Sequence, residues 1–185
     1  MHIAVVILCE WELRDLGAKE QGADATDNRW LTIPRALCFV MHGEDILLMK
    51  RGPHRRIFPN RYNGVGGHIE RDEDPLTAAV REIKEETGLD VDNVMLRGIH
   101  HIDAGATTGI MMFVFTAEAA QSAFDDPGIE GTLHWVSKNA VLDLDLVEDL
   151  PIILPKILAM QPADPPYFAH ISYDDTDTIQ INFTG

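Results

Sequence analysis

The chain has 185 residues, 45% of them hydrophobic, and carries a formal net charge of −15 at pH 7. That length suits one domain with a sizeable core, and the excess of acid argues against binding long nucleic acid, whose affinity rests on Lys and Arg meeting phosphates. No apolar run is long enough to span a bilayer, and residues 3–9 lack the basic flank and small-residue cleavage pattern of a signal peptide, so a cytoplasmic location is the expectation.

In chain order, residues 1–13 read as a strand or a short amphipathic opening, followed by a polar, glycine-containing stretch to Asn28. Residues 1–31 form an N-terminal extension whose role stays open between an added strand, a dimer arm and a disordered segment; the domain proper is expected over 32–185. Cys9 and Cys38 offer no framework of disulfides or zinc, and both sit in apolar runs as expected buried thiols. Two β-rich runs, 35–41 and 45–50, flank a hairpin turn at His42-Gly43-Glu44. Residues 52–63 make a loop rich in Pro, Arg and Asn. A helix follows, then strands near 94–102 and 109–117, a loop at 125–128 and a strand at 132–136. A second helix is expected over 151–160, interrupted by Pro155. Hairpin-like segments at 167–173 and 178–183 close an α/β chain with one sandwiched core.

The most informative stretch is residues 67–89. Asp74 can cap a helix start, Pro75 fits the first helical position, and Gly88 supplies a left-handed exit. Between them Glu82, Glu85 and Glu86 are related as i, i+3 and i+4 and share one helix face. Leu76, Val80, Ile83 and Thr87 fall on another face, suited to packing on a sheet. Like charges at this spacing weaken a helix by about 0.2–0.5 kcal/mol per pair. A divalent cation reverses that penalty, and hard Mg²⁺ or Mn²⁺ prefers carboxylate and carbonyl oxygen. A Glu-rich helix alone is most often a solvated face. Here a glycine-rich turn, Asn63-Gly64-Val65-Gly66-Gly67, precedes it, and its backbone can approach a ligand closely. A Gly66 carbonyl can then join a metal shell. Arg81 fits as an internal counter-charge that orients the acids, and Glu73 as an acceptor that steadies the loop.

The glycine at Gly67, then Glu73, Arg81-Glu82-Ile83, Glu85-Glu86 and Gly88-Leu89 form a pattern that resembles the signature box of the Nudix hydrolase superfamily. The resemblance covers roughly residues 32–185 and implies an α/β/α sandwich with a mixed β-sheet. It also implies Mg²⁺- or Mn²⁺-dependent hydrolysis of a diphosphate linkage, with Glu82, Glu85 and Glu86 as metal ligands. Dimers are common in that superfamily, so a homodimer is an expectation. A further family carboxylate, an extra metal ligand or the general base, matches Glu130 before the Trp135-containing strand; Glu118 is the alternative, and a solvated loop Glu the bland reading.

Within the superfamily the chain most resembles MutT-like enzymes that act on oxidised purine nucleoside triphosphates. The segment from Arg61 to His68 is similar to one in which an Asn touches the base, here Asn63, and Glu148-Asp149 is similar to an acidic pair that reads the purine edge. The C-terminal Asp177-Thr178-Ile179 resembles a strand at the same end of those proteins. An Asn and a carboxylate together satisfy a purine's donors and acceptors. Asn63 is equally explained as a turn residue before Gly64, and Glu148-Asp149 as charge complementing a helix start. Lys50, Arg51, Arg55 and Arg56 form a basic patch that either steers a triphosphate or solvates a loop. His100-His101 reads as an ordinary strand feature and Met111-Met112 as core. The alternatives are a hydrolase of ADP-ribose or another dinucleotide at the same metal site, and a non-catalytic nucleotide sensor. The related isomerase chemistry needs a catalytic Cys, and neither Cys9 nor Cys38 is placed for it.

Overall fold

Alternation of apolar residues over two long runs builds the centre of the molecule. The computed structural model describes Gly22, residues 26–125, Gly128 and residues 130–184. The expected opening strand at 1–13, Cys9, and the middle of the 125–128 loop lie outside the described residues. Two units are distinguished, Met1–Leu31 and Thr32–Gly185, and the second contains the architecture that follows.

Strand β1 (Leu31–His42) turns back into β2 (Asp45–Arg51), with His42 opposite Asp45, so the hairpin closes where the sequence expects it. Side chains alternate across β1. Leu37 and Phe39 enter one core cluster, while Ala36, Cys38 and Val40 enter another. A strand buried on both faces must carry apolar residues continuously, as β1 does from Ala36 to Val40. Beyond β3 (Tyr62–Asn63) the chain runs into helix α1 (Pro75–Thr87), then β4 (Val91–Ile102), β5 (Thr108–Ala119) and β6 (Gly131–Ser137). A short 3-10 turn at Val141–Asp143 leads to α2 (Leu150–Ala159), and β7 (Tyr167–Tyr173) and β8 (Ile179–Thr184) end the chain. One mixed sheet results, in the order β3-β2-β1-β5-β4-β7-β8, with β6 on the other side of β2. Only β4 and β7 pair in parallel among the pairings of the described strands, and β7 and β8 form the expected closing hairpin.

The helices pack into different core clusters, which gives the α/β sandwich. Helix α1 contributes Ala79 and Ile83 to one cluster, and α2 contributes Leu150, Ile153, Leu154 and Ile157 to the other. That i, i+3, i+4, i+7 set buries four large side chains, each worth about 1.5–3 kcal/mol relative to exposure. Two expectations about the helices need correction. Leu76 and Val80 do not pack on the sheet; they are exposed, and the small residues Ala78 and Ala79 are buried with Ile83 and Thr87. Close approach of α1 to the sheet favours alanine there. Pro155 does not interrupt α2, which runs continuously to Ala159. Its missing N–H would have met the carbonyl of residue 151, and the burial of Leu150, Ile153, Leu154 and Ile157 offsets that lost bond.

One local feature positions the site. β1 pairs with β2 only at its C-terminal end, through residues 40–42. Along the earlier part of β1 the glycine segment takes the neighbouring place, with bridges Cys38↔Val65 and Arg35↔His68. The Cys38 N–H donates to the Val65 carbonyl at 2.7 Å and the Ala36 N–H to the Gly67 carbonyl at 2.9 Å. The turn before α1 is therefore held by sheet hydrogen bonds and not left as a loose loop.

Candidate active site

Helix α1 starts as its sequence dictates. The Asp74 carboxylate accepts from the backbone N–H of Leu76 at 2.8 Å and of Thr77 at 3.1 Å, and Gly88 leaves the helix with φ 71°. Register then fixes the acids. Arg81 donates through Nε and Nη2 to both oxygens of Glu73, at 3.0 and 2.6 Å, and through Nη1 to Glu82 at 2.9 Å and Glu85 at 3.0 Å. Its Nη2 also donates to the His68 carbonyl at 3.1 Å. One guanidinium thus ties the helix to the loop before it. These bonds, that to Glu73 first, raise the Arg81 pKa, and the same bond from Arg81 holds Glu73 below the ordinary carboxylate range. Glu73 accepts a further bond from the Glu70 N–H at 2.8 Å.

Glu86 lies deepest. Its carboxylate accepts from the Gly66 N–H at 2.8 Å, yet burial, with the charges of Glu130 and Glu82 added, pushes it up to about 7. Burial likewise raises Glu82, whose side chain is 14% exposed against 60% for Glu85. Gly67 makes room for this arrangement: a Cβ there would stand 2.5 Å from a Glu82 carboxylate oxygen. The opening of β6 brings Glu130 to the same place, where it pairs with Arg55 at 3.0 Å.

An oxygen-only set of Glu82, Glu85, Glu86 and Glu130 fits a hard divalent cation in chemistry, and Glu82 and Glu86 are half-buried at a cost that a cation would relieve. Among the described residues no three such groups are already gathered as a coordination site; Glu82 and Glu85 are engaged by Arg81.

A cavity of about 230 Å³ opens beside Glu86 and Glu130, lined also by Gly66, Gly67, Arg51 and Arg55 among others, while Glu82 and Glu85 lie outside its lining. A second, of about 310 Å³, contains Asn63, Glu148 and Asp149 with Phe58, Met112 and Tyr173 in its walls. Arg35, Leu37, Arg51, Ile57, Asn63 and Met112 line both, so the two spaces adjoin. Asn63 accepts from the Gly64 N–H at 2.9 Å, as a turn residue does, while also facing the cavities. Asp149 occupies the cap position of α2 without a side-chain cap bond to the first turn. Burial, then the charge of Glu148, pushes Asp149 up to about 6. Glu148 accepts from the Tyr173 hydroxyl at 2.7 Å.

Other residues fall elsewhere. Lys50 lines neither cavity; alternation along β2 turns it away from Met49 and Arg51, and its ammonium lies 5.5 Å from the Tyr62 ring. Arg56 is exposed and lines neither cavity. Glu118 accepts from Asn93 at 2.8 Å and lines a separate cavity with Arg97 and Lys138. His100 is buried against the Tyr167 hydroxyl at 3.0 Å, and Met112 is a cavity wall as well as core. Three wall residues are not evident from the motif: Arg35, Phe58 and Tyr173. For Arg35 the available signal was a charged residue in register with the inward-facing Leu37 and Phe39.

Residues 31–157 match the family model described as NUDIX domain. The chain belongs to the NUDIX family. It is similar to two curated proteins named m7GpppN-mRNA hydrolase NUDT17: 38% identical over 66 residues for that of Danio rerio and 45% over 49 residues for that of Xenopus laevis. Those matches cover 36% and 26% of this chain but only 22% and 17% of the relatives. Among solved structures, a mutator MutT protein from Bacillus halodurans superposes with a TM-score of 0.69 at 24% identity, covering 82% of this chain and 97% of that one. The NUDIX domain of Shewanella oneidensis NrtR, in complex with ADP ribose, gives a TM-score of 0.59 at 16% identity over 72% and 94% of the two chains. At these identities the likeness to solved structures is one of fold.

Proposed function

We propose that the chain hydrolyses a purine nucleoside triphosphate, of the oxidised 8-oxo-dGTP type, to the monophosphate and pyrophosphate. The observation that carries this reading is the adjoining pair of cavities: one lined by Glu86, Glu130 and three arginines, the other mostly apolar, sharing Arg35 and Arg51 with the first and adding Glu148, Asp149 and Tyr173 as polar groups of its own beside the shared Asn63. A nucleotide has the same division, a flat base with a few polar edge atoms joined to a polyanion. Asn63 offers an amide donor and acceptor, and Asp149 near its pKa can present either a carboxylate or a protonated acid to a base edge.

Glu82, Glu85 and Glu86, with the Gly66 carbonyl, would hold Mg²⁺ or Mn²⁺. When bound, the ion lowers the pKa of a water and neutralises charge on phosphate oxygens. Arg51 and Arg55 attract the triphosphate and hold its oxygens in a chain that is otherwise acidic. Glu130, at the mouth of the cavity on the strand opening, takes the proton from the attacking water as the P–O bond to the leaving pyrophosphate breaks. Arg81 keeps Glu82 and Glu85 in register and Glu73 locks Arg81.

A second reading follows from the curated relatives, whose name specifies an m7GpppN-mRNA cap. A cap is also a purine nucleotide joined through phosphates, so a methylated guanine dinucleotide would use the same two cavities. Asn63→Ala and Asp149→Ala test the base contacts: each should raise KM for the preferred purine triphosphate about 10- to 100-fold, the cost of leaving polar groups unpaired, with a smaller change in kcat. An unchanged KM in both variants would remove the base-reading role.

A further inference from the structure

Arg35 stands where the two cavities meet. It lines both, as does Leu37 two residues on, and β1 alternation puts the two side chains on one face. Its backbone is pinned on either side. The Ala36 N–H donates to Gly67, the Ile69 N–H donates to the Pro34 carbonyl at 3.2 Å, and Arg35 itself bridges to His68. The guanidinium is therefore built into the wall beside the glycine turn.

Its Nε is buried and has no hydrogen-bond partner, and no carboxylate among the described residues forms an ion pair with it. The other guanidinia around the site are engaged. Arg51 donates through Nε to the Ile57 carbonyl at 2.9 Å, Arg55 pairs with Glu130, and Arg81 holds three glutamates. A buried N–H left without an acceptor is costly, more so on a charged group. An anion placed against Arg35 supplies the missing acceptor, and the planar fork of a guanidinium matches two phosphate oxygens.

The position along the ligand decides which phosphate. A nucleotide with its base in the cavity of Asn63 and its terminal phosphates over Glu86 must pass the shared wall with its sugar and 5′-phosphate. We propose that Arg35 binds the sugar-linked phosphate, the one that stays with the nucleoside product. This rests on the nucleotide reading above and adds to it a residue that the motif does not contain. Arg35 then sets the register of the chain of phosphates over the acids, and distinguishes a nucleotide from an unphosphorylated nucleoside.

Calorimetric titration of the full chain with deoxyguanosine 5′-monophosphate and with deoxyguanosine tests this. The wild type should bind the monophosphate more tightly than the nucleoside. Arg35→Met should weaken the monophosphate at least 10-fold and leave the nucleoside unchanged. Arg35→Lys, which keeps the charge but not the fork, should fall between, and Arg35→Gln serves if the Met variant does not fold. Equal losses for both ligands would make Arg35 a packing residue and overturn the proposal. So would a wild type that binds monophosphate no better than nucleoside, or variants without effect. Thymidine 5′-monophosphate separates the two layers of the argument: binding as tight as that of the purine nucleotide counts against the base reading, while its loss in Arg35→Met still supports the phosphate contact.

Discussion

A half-buried carboxylate beside two other acids is a poor place for a bare negative charge, and Glu86 is favoured there by the Gly66 N–H and, less, by the charge of Arg51. A perturbed acid of this kind marks a position where a ligand is expected to act. Glu86→Gln keeps an acceptor for Gly66 and removes the charge. In metal-free buffer its melting temperature should equal or exceed that of the wild type, while the stabilisation by Mg²⁺ and at least about 100-fold of kcat should be lost. A variant that melts higher with Mg²⁺ by the wild-type margin would dissociate Glu86 from metal binding. Asp149 gives a pH-dependent counterpart. Its folded pKa of about 6 exceeds the ordinary 3.8, so the folded state binds the proton more tightly. The associated stability is fully present below pH about 4 and is lost as pH rises through about 6. Asp149→Asn should therefore melt higher than the wild type at pH 8, by about 2–4 °C for each kcal/mol recovered, and the gap should close towards pH 4. A gap independent of pH would show that Asp149 ionisation is not its source.

Elements carry the next layer, and α1 with its preceding turn is the most tightly specified of them. The cap at Asp74, the proline after it and the glycine at Gly88 set the helix limits, and the spacing of Glu82, Glu85 and Glu86 sets what it presents. This much was legible in the sequence because capping, helical period and turn chemistry are local. Which face is buried was not. Leu76 and Val80 are the larger apolar residues, but the sheet lies against Ala79 and Ile83, and helix-to-sheet distance is a tertiary property. Pro155 likewise breaks the local rule without breaking the helix, because the buried face of Leu150, Ile153, Leu154 and Ile157 holds α2 across it. The place of Arg35 depends on β1 parting from β2 to admit the Val65–His68 segment, a pairing of residues some thirty positions apart that no local pattern reveals. Gly67→Ala examines the turn directly. The added Cβ meets the Glu82 carboxylate at 2.5 Å, so Glu82 must leave its place. A loss of at least about 10-fold in kcat/KM and a weaker response to Mg²⁺ are expected, with circular dichroism unchanged; wild-type activity would mean that the contact of Gly67 with Glu82 is irrelevant to the site.

At the scale of the molecule, acid dominates, and the arginines gathered at the two cavities stand out against a net charge of −15. The distribution suits a small polyanion accompanied by a cation and not a long nucleic acid. No helix among the described residues is long and apolar enough to cross a membrane. The sheet brings Glu86 of α1, Glu130 before β6 and Asp149 at the start of α2 to two adjoining cavities, although they are far apart in the chain. The most direct measurement is Mg²⁺-dependent turnover of a panel containing 8-oxo-dGTP, dGTP, dTTP, an m7GpppN cap and ADP-ribose, with products identified. The account predicts the highest kcat/KM for 8-oxo-dGTP, with monophosphate and pyrophosphate released in equal amounts. Preferential cleavage of ADP-ribose to AMP, or no turnover of any nucleotide, would contradict it.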